Sequence, residues 1–221
     1  MAFQRARNEA QREVRRQTIL ETATEMLAEM SVAEISLNEL SRRVGLAKSN
    51  VLRYFESREA VLLELLENAL EAWVAQLPGE LAIGVDERGS LRERVDQVAA
   101  VLSASLVRQA VLCDLLNAQG SVLEHNVSVE VVVRHKRSAS ASMAACADTI
   151  RRHVPELGNG AWTVSALALM LAGSLSSYGR PSASALAAYE ADPALASLNL
   201  DPHAFLEDTV ATLISGTLAR E

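Results

Sequence analysis

The chain has 221 residues and a formal net charge of −7; hydrophobic residues make up 49% of it, aromatic residues only 4%. With just 10 Gly and 5 Pro it is too poor in turn formers for an all-β sandwich, which needs a turn roughly every ten residues, and its Ala, Leu and Val content favours helices. The charge is uneven. Through Ala60 there are 10 Lys/Arg and 9 Asp/Glu, net +1; from Val61 onward there are 11 and 19, net −8. The acidity therefore belongs to the C-terminal part and does not exclude a nucleic-acid partner for the N-terminal one. Cys113 and Cys146 are the only cysteines, too few for a disulfide framework and in keeping with a reducing cytosol. No apolar run approaches the roughly 18 residues of a membrane span, and the opening MAFQRARNEAQREVRRQ lacks the apolar stretch of a signal peptide. A cytoplasmic protein with no membrane partner is expected.

In chain order, residues 1–13 are polar and basic without apolar periodicity and read as a flexible basic arm. Ile19, Leu20, Ala23, Met26, Leu27 and Met30 then recur at three- and four-residue steps, the stripe of an amphipathic helix starting near Val14. Ser36-Leu-Asn-Glu39 has the spacing of a capping box and predicts a short helix over Leu37–Val44, stopped by Gly45. A second short helix should run from about Ala47 to Tyr54, and Ser57 should cap a long one that Pro78-Gly79 ends. Beyond the Gly84–Ser90 loop, helices are expected over Leu91 to about Leu106, Gln109 to Gln119, about Val122 to Val154, and Ala161 to Tyr178. Gly179 to Leu200 reads as a partly ordered loop, and Asp201-Pro202 opens a last helix to Leu218. The domain division that follows is 1–13, 14–60 and 61–221.

Two short helices joined by a Gly turn between longer ones form a helix-turn-helix, whose second helix enters the DNA major groove while the first braces it. Lys48, Ser49, Asn50 and Arg53 are placed to face outward, and Val51, Leu52 and Phe55 to anchor the helix on its core. Lys and Arg neutralise phosphates or bind guanine, and Asn pairs with adenine N6 and N7. The basic arm (Arg5, Arg7, Arg12, Arg15, Arg16) follows the DNA backbone, reaches into a minor groove, or is simply solvated.

Residues 16–27 and 35–62 resemble the DNA-binding domain of the tetracycline-repressor (TetR) family of bacterial transcription regulators. Ile19-Leu20, Ala23, Ser36, Leu40, Gly45, Phe55, Ser57, Glu59 and Leu62 fall in register with the family pattern. The resemblance implies an all-α fold, an N-terminal three-helix helix-turn-helix domain followed by a C-terminal helical ligand-binding and dimerisation domain. It also implies a homodimer on double-stranded palindromic operator DNA, a repressor released by a small molecule. DNA contacts are expected from Ser36, Lys48, Ser49, Asn50, Arg53, Tyr54 and Arg58. The chain departs from the pattern at Ser31 (usually Gly), Ala47 (usually a Ser or Thr cap), Leu52 (commonly a phosphate-contacting Tyr), Tyr54 (often His) and Arg58 (often Lys).

In the C-terminal part, Val98, Leu102, His135, Met143, Trp162, Met170 and Tyr178 are candidates to line a small-molecule pocket, and equally to form plain core. The acidic field there suits a cationic or neutral ligand better than a polyanion. Small residues at helical spacing, Ala166, Gly173 and Ser177 with Thr209, Thr212 and Gly216, mark a candidate dimer interface. The histidines and cysteines match no zinc spacing, and no nucleophile elbow or phosphate loop is present, so no metal, cofactor or enzymatic activity is expected. The competing reading is a helical small-molecule binding or enzymatic protein with a vestigial DNA-binding domain.

Overall fold

The computed structural model describes the backbone of residues 2–179 and 181–220 and the side chains from Glu9 on within that range. Arg5 and Arg7 of the expected arm thus lie outside the described side chains. Among the described residues there are ten α-helices and no strand.

By contacts the chain divides into two compact units, residues 1–68 with 118–136, and residues 69–117 with 137–221. The first unit is therefore larger than the 14–60 domain read from sequence, because a segment from the middle of the chain folds into it.

In unit 1, α1 (Ala2–Glu29), α2 (Leu37–Val44), α3 (Lys48–Val51) and the start of α4 (Arg58–Gly84) surround one core. Ile19, Leu20, Ala23, Met26 and Leu27 of α1 are buried, as are Leu40, Val51, Phe55, Leu62, Leu63 and Leu66. At about 1.5–3 kcal/mol per buried aliphatic side chain, this core fixes the short helices, which are too short to be stable alone. Helix α1 begins at Ala2 and not at Val14, so the expected arm continues it. Nothing in that stretch breaks a helix, and its Ala, Arg, Gln and Glu are good helix formers.

Unit 2 holds the rest of α4, then α5 (Leu91–Val107), α6 (Ala110–Ala118, of which the first eight residues are in this unit), most of α7 (Val129–His153), α8 (Gly160–Tyr178), α9 (Ala183–Ala191) and α10 (Pro202–Leu218). Helix α10 presents Leu206, Val210 and Ile214, a four-residue stripe, and packs on α5 and α8. Trp73 is buried and its Nε1 donates to Ser105 Oγ at 3.0 Å.

Three sequence expectations need correcting. Pro78-Gly79 does not end α4, which runs to Gly84. An interior Pro costs about 3 kcal/mol or more, but Leu81 and Val85, buried beyond it, offset that at about 1.5–3 kcal/mol each. The helix expected over Val122–Val154 begins at Val129, after a π-turn at Gln119–Leu123 and a bend at Asn126, whose φ is +58°. The Gly179–Leu200 loop contains α9, capped by Ser182 Oγ, which accepts the Ala185 N–H at 3.2 Å, and a 3-10 turn at Pro193–Leu198. No residue of α9 is buried, so its Ala-rich sequence forms helix by local propensity and left no apolar periodicity to read. Helix α8 alone is long and apolar enough to cross a membrane by length and composition among the described residues, and its Val164, Ala168, Leu169, Ala172 and Leu175 are buried in unit 2.

Candidate nucleic-acid interface

The helix-turn-helix is built by local hydrogen bonds. Ser36 has extended backbone, and its Oγ accepts the Glu39 N–H at 3.1 Å, capping α2. The reciprocal half of the capping box is absent. The Glu39 carboxylate instead accepts from Arg42 at 2.6 and 2.9 Å and from Arg43 at 3.0 Å, bonds that hold its carboxyl down at about 2. Gly45 closes α2 at φ +72°, with its N–H donating to Arg42 O at 3.2 Å and the Leu46 N–H to Ser41 O at 3.0 Å. An L side chain pays about 1–2 kcal/mol in that left-handed region, so Gly sets the angle at which the chain re-enters helix.

Ala47 leads into α3 with extended backbone and no side-chain cap. The second helix is one α-turn, Lys48–Val51, prolonged by turn bonds from Arg53 N–H to Asn50 O at 3.2 Å and from Tyr54 N–H to Val51 O at 2.9 Å. Val51 and Phe55, four apart, are buried and anchor it. Leu52, expected as a third anchor, lies a further 100° round the helix and is 41% exposed. Lys48, Ser49, Asn50 and Arg53 are exposed and Tyr54 is half-buried, so one short surface carries two cations, an amide and a hydroxyl.

The cationic side chains of unit 1 fall into two groups. Arg42 and Arg43 are held by Glu39, and Arg43 also by Glu29 at 2.7 Å. Arg16 pairs with Glu64 and lies 4.4 Å over the Phe55 ring, a cation-π contact. Arg58 donates to Ile35 O at 2.9 Å and pairs with Glu59 at 3.0 Å. It thus ties the entry of α2 to the start of α4 and is largely covered, a bracing role that differs from the open phosphate contact expected of it. Lys48 and Arg53 have no carboxylate partner among the described residues and are left for an external anion.

The segment of residues 118–136 that joins unit 1 also makes polar contacts there. Glu56 accepts the Ser128 N–H, and Arg134 lies 4.0 Å from Glu64. Burial raises the Glu64 carboxyl, with Arg16 and Arg134 opposing that rise. His135 is buried, with its Nδ1 3.4 Å from Glu67 Oε1, and neither of its ring nitrogens has a hydrogen-bond partner. Glu64 and Glu67 are single acids on the apolar start of α4, and Glu56 a single acid in the bend before it, so none of the three carries a spacing signal in the sequence.

The structure does not assemble the expected pocket residues. Val98 and Leu102 are buried core of α5, Met143 is half-buried on α7, and His135 belongs to unit 1. Trp162, Met170 and Tyr178 are 54%, 68% and 58% exposed and line no interior, because α8 buries the positions between them. Unit 2 does contain a cavity of about 270 Å³, lined among others by Val107, Ala110, Cys113, Ala172, Leu175 and Leu206. Of the expected interface residues, Gly173 is buried within its own unit: a Cβ there would lie 3.0 Å from Leu116 Cβ and 3.1 Å from Asn117 N. Its lack of a side chain serves α8–α6 packing. Ala166 and Thr209 are half-buried, Ser177, Thr212 and Gly216 are exposed, and a Cβ at Gly216 would meet nothing within 4 Å. Among the described residues no group of three or more His, Cys, Asp or Glu could hold a metal ion.

A Gly-turned helix pair, braced by its own ion pairs and presenting an unpaired cationic and amide surface, defines a helix-turn-helix DNA-binding regulator. Residues 19–65 match the family model described as bacterial regulatory proteins, tetR family, and residues 67–221 match tetracyclin repressor-like, C-terminal domain. The chain belongs to the TetR family of transcription regulators. Similar solved structures include a TetR transcriptional regulator from Rhodococcus sp. RHA1, at 17% identity and a TM-score of 0.53, covering 91% of this chain and 96% of that one. The TetR family regulator PfmR from Thermus thermophilus is similar at 17% identity and a TM-score of 0.51, with 89% and 97% covered. A TetR/AcrR-family regulator from Thermobifida fusca is similar at 18% identity and a TM-score of 0.51, with 91% and 97% covered. At these identities the likeness shows the fold. No curated protein sequence matches the chain.

Proposed function

We propose that this regulator is a cytoplasmic, non-enzymatic homodimeric repressor that binds a palindromic operator and leaves it when a small molecule occupies unit 2. The observation that carries the DNA part is the exposed set Lys48, Ser49, Asn50 and Arg53, with two cations lacking any carboxylate partner among the described residues. Ser36, whose hydroxyl hydrogen is free once its oxygen caps α2, and Tyr54 at the end of the recognition turn complete the contact surface. Arg58 supports it from behind.

Exposed Trp162, Leu167 and Met170 on α8 and Phe205 on α10, with the open side of Gly216, support a second copy packing on these two helices. Exposed large apolar side chains in such a group mark an interaction surface. The unit 2 cavity, at about nine water volumes, has room for a small, mostly apolar ligand. A ligand releases DNA only by as much as it prefers a dimer whose recognition helices no longer fit successive major grooves. The test is anisotropy of labelled DNA selected from a random duplex library, with and without candidate compounds. Binding that weakens with compound and with Val107→Trp, which fills the cavity, supports the reading; DNA affinity indifferent to every compound that binds the protein contradicts it.

A further inference from the structure

We propose a second DNA-contacting element: a cationic groove between the third and fourth turns of α1 and the end of the recognition turn, which takes the sugar-phosphate backbone of one strand beside the major-groove contact. It rests on the DNA-binding reading and extends it to residues outside the helix-turn-helix. The groove has a volume of about 920 Å³ and is lined by Ala10, Gln11, Arg12, Val14 and Arg15 of α1 and by Arg53 and Tyr54. Among the described residues, three guanidinium groups and no carboxylate line it.

The face is segregated by helix geometry. At 3.6 residues per turn, positions 10, 14, 11, 15 and 12 follow one another round about 200° of α1, and Arg16, Glu9 and Glu13 fill the narrower remainder on the other side, with Arg12 at the boundary. Arg16 is pulled to that other side by Glu64 and Phe55, and the Glu13 charge acts on Glu64 there. Arg12 and Arg15, three apart, are neighbours about 5–6 Å apart at Cβ, and such like-charged pairs cost a helix a few tenths of a kcal/mol. Both are exposed, and no carboxylate pairs with either among the described residues. Nine other arginines do have one within 4.0 Å, Arg92, Arg134 and Arg151 among them. An uncompensated guanidinium pair facing a third across an open groove is complementary to a run of phosphates.

A DNA strand fits better than a small free anion. The groove is open, no buried donor converges on a single point in it, and Arg53 and Tyr54 make it continuous with the recognition turn. Residues 10–15 span about 7.5 Å of helix axis, near two nucleotide steps of one strand at about 3.4 Å each. Arginine contacts to phosphate read no base, so the groove adds affinity and footprint length and leaves sequence preference unchanged.

The experiment compares the full-length protein with Arg12→Ala/Arg15→Ala on a long random-sequence duplex, by anisotropy across a salt series. Ala is the best helix former, so α1 is retained, and circular dichroism and thermal midpoint check this. The proposal expects log K against log salt to lose about 1.8 units of slope per bound protomer, near 0.9 for each phosphate contact. Arg12→Lys/Arg15→Lys should keep most of the slope, since charge is conserved. On selected duplexes trimmed from their ends, the difference between wild type and double Ala variant should vanish once the flanking base pairs are gone. A double Ala variant with the wild-type slope overturns the groove while leaving the recognition surface standing. A difference that persists on the trimmed duplex also overturns it. A wild type that binds no duplex at all overturns the DNA-binding reading, and the groove with it. Inorganic phosphate that competes at millimolar level in place of DNA shows a small-anion site and overturns the strand assignment.

Discussion

Gly173 and Gly216 look alike in the sequence, each a small residue inside an apolar helix, yet they should respond oppositely to the same substitution. At Gly173 the first added carbon would stand 3.0 Å from Leu116 Cβ, 3.1 Å from Asn117 N and 3.3 Å from the Leu116 carbonyl carbon. These are backbone or backbone-proximal atoms that cannot swing away. Gly173→Leu adds three more carbons beyond that contact, so it belongs at or above the top of the usual overpacking range, about 3 kcal/mol. The roughly 1 kcal/mol gained from replacing a helical Gly does not offset it, leaving a loss of about 2 kcal/mol or more. For a chain of this size that lowers the melting temperature by roughly 4–8 °C. Because the clash is within one protomer, the loss should be independent of protein concentration. At Gly216 nothing lies within 4 Å, so Gly216→Leu should keep or raise protomer stability while weakening a dimer that packs there. Differential scanning fluorimetry over a dilution series, with sedimentation velocity on the same samples, separates the two. A Gly173→Leu protein that melts like wild type, or whose loss disappears on dilution, would refute the intramolecular packing argument.

Other consequences can be checked as simply. Ala47→Ser supplies the cap that α3 lacks at a backbone angle suited to it, and should raise stability to denaturant by about 1 kcal/mol. Asn50→Ala should relax base preference at one operator position by about 1–3 kcal/mol, whereas Lys48→Ala should weaken all duplexes alike and lower the salt slope by about 0.9; competition with mixed and selected duplexes tells them apart. Burial pushes the Cys113 thiol up to about 12 and Cys146 to about 11. Both are protonated in the fold, so the stability they confer is present below the ordinary thiol value and is lost as pH rises past it, when the unfolded chain ionises first. Neither should react with iodoacetamide at about pH 8 until the protein is unfolded, which mass spectrometry of the alkylated protein will show.

The helix-turn-helix was legible because its signals are local. Ser36, Gly45 and Ser57 do in the structure what their chemistry allows, and the stripe from Ile19 to Leu27 is buried as its spacing requires. At Pro78 a non-local term outweighs the local one, since the burial of Leu81 and Val85 carries α4 past it. At α9 the local propensity is enough by itself, but with no buried face it leaves no periodic trace. Trp162 and Met170 suggested a pocket because an apolar residue looks the same whether it faces a cavity or another surface. Arg58 could be recognised as a cation at the right position, but its bond to Ile35 O joins residues 23 apart, a closure that no motif records.

That the recognition turn enters the DNA major groove with Asn50 and Arg53 on the bases and Lys48 on the flanking phosphates can be read by dimethyl sulfate protection of a selected duplex, since guanine N7 is reached only through that groove. Protected guanines are expected in two symmetric clusters, centred about one helical turn or a multiple of it apart, with protection lost in the Asn50→Ala/Arg53→Ala protein. Protection that survives in that variant, or a bound duplex whose N7 positions all remain reactive, would contradict it.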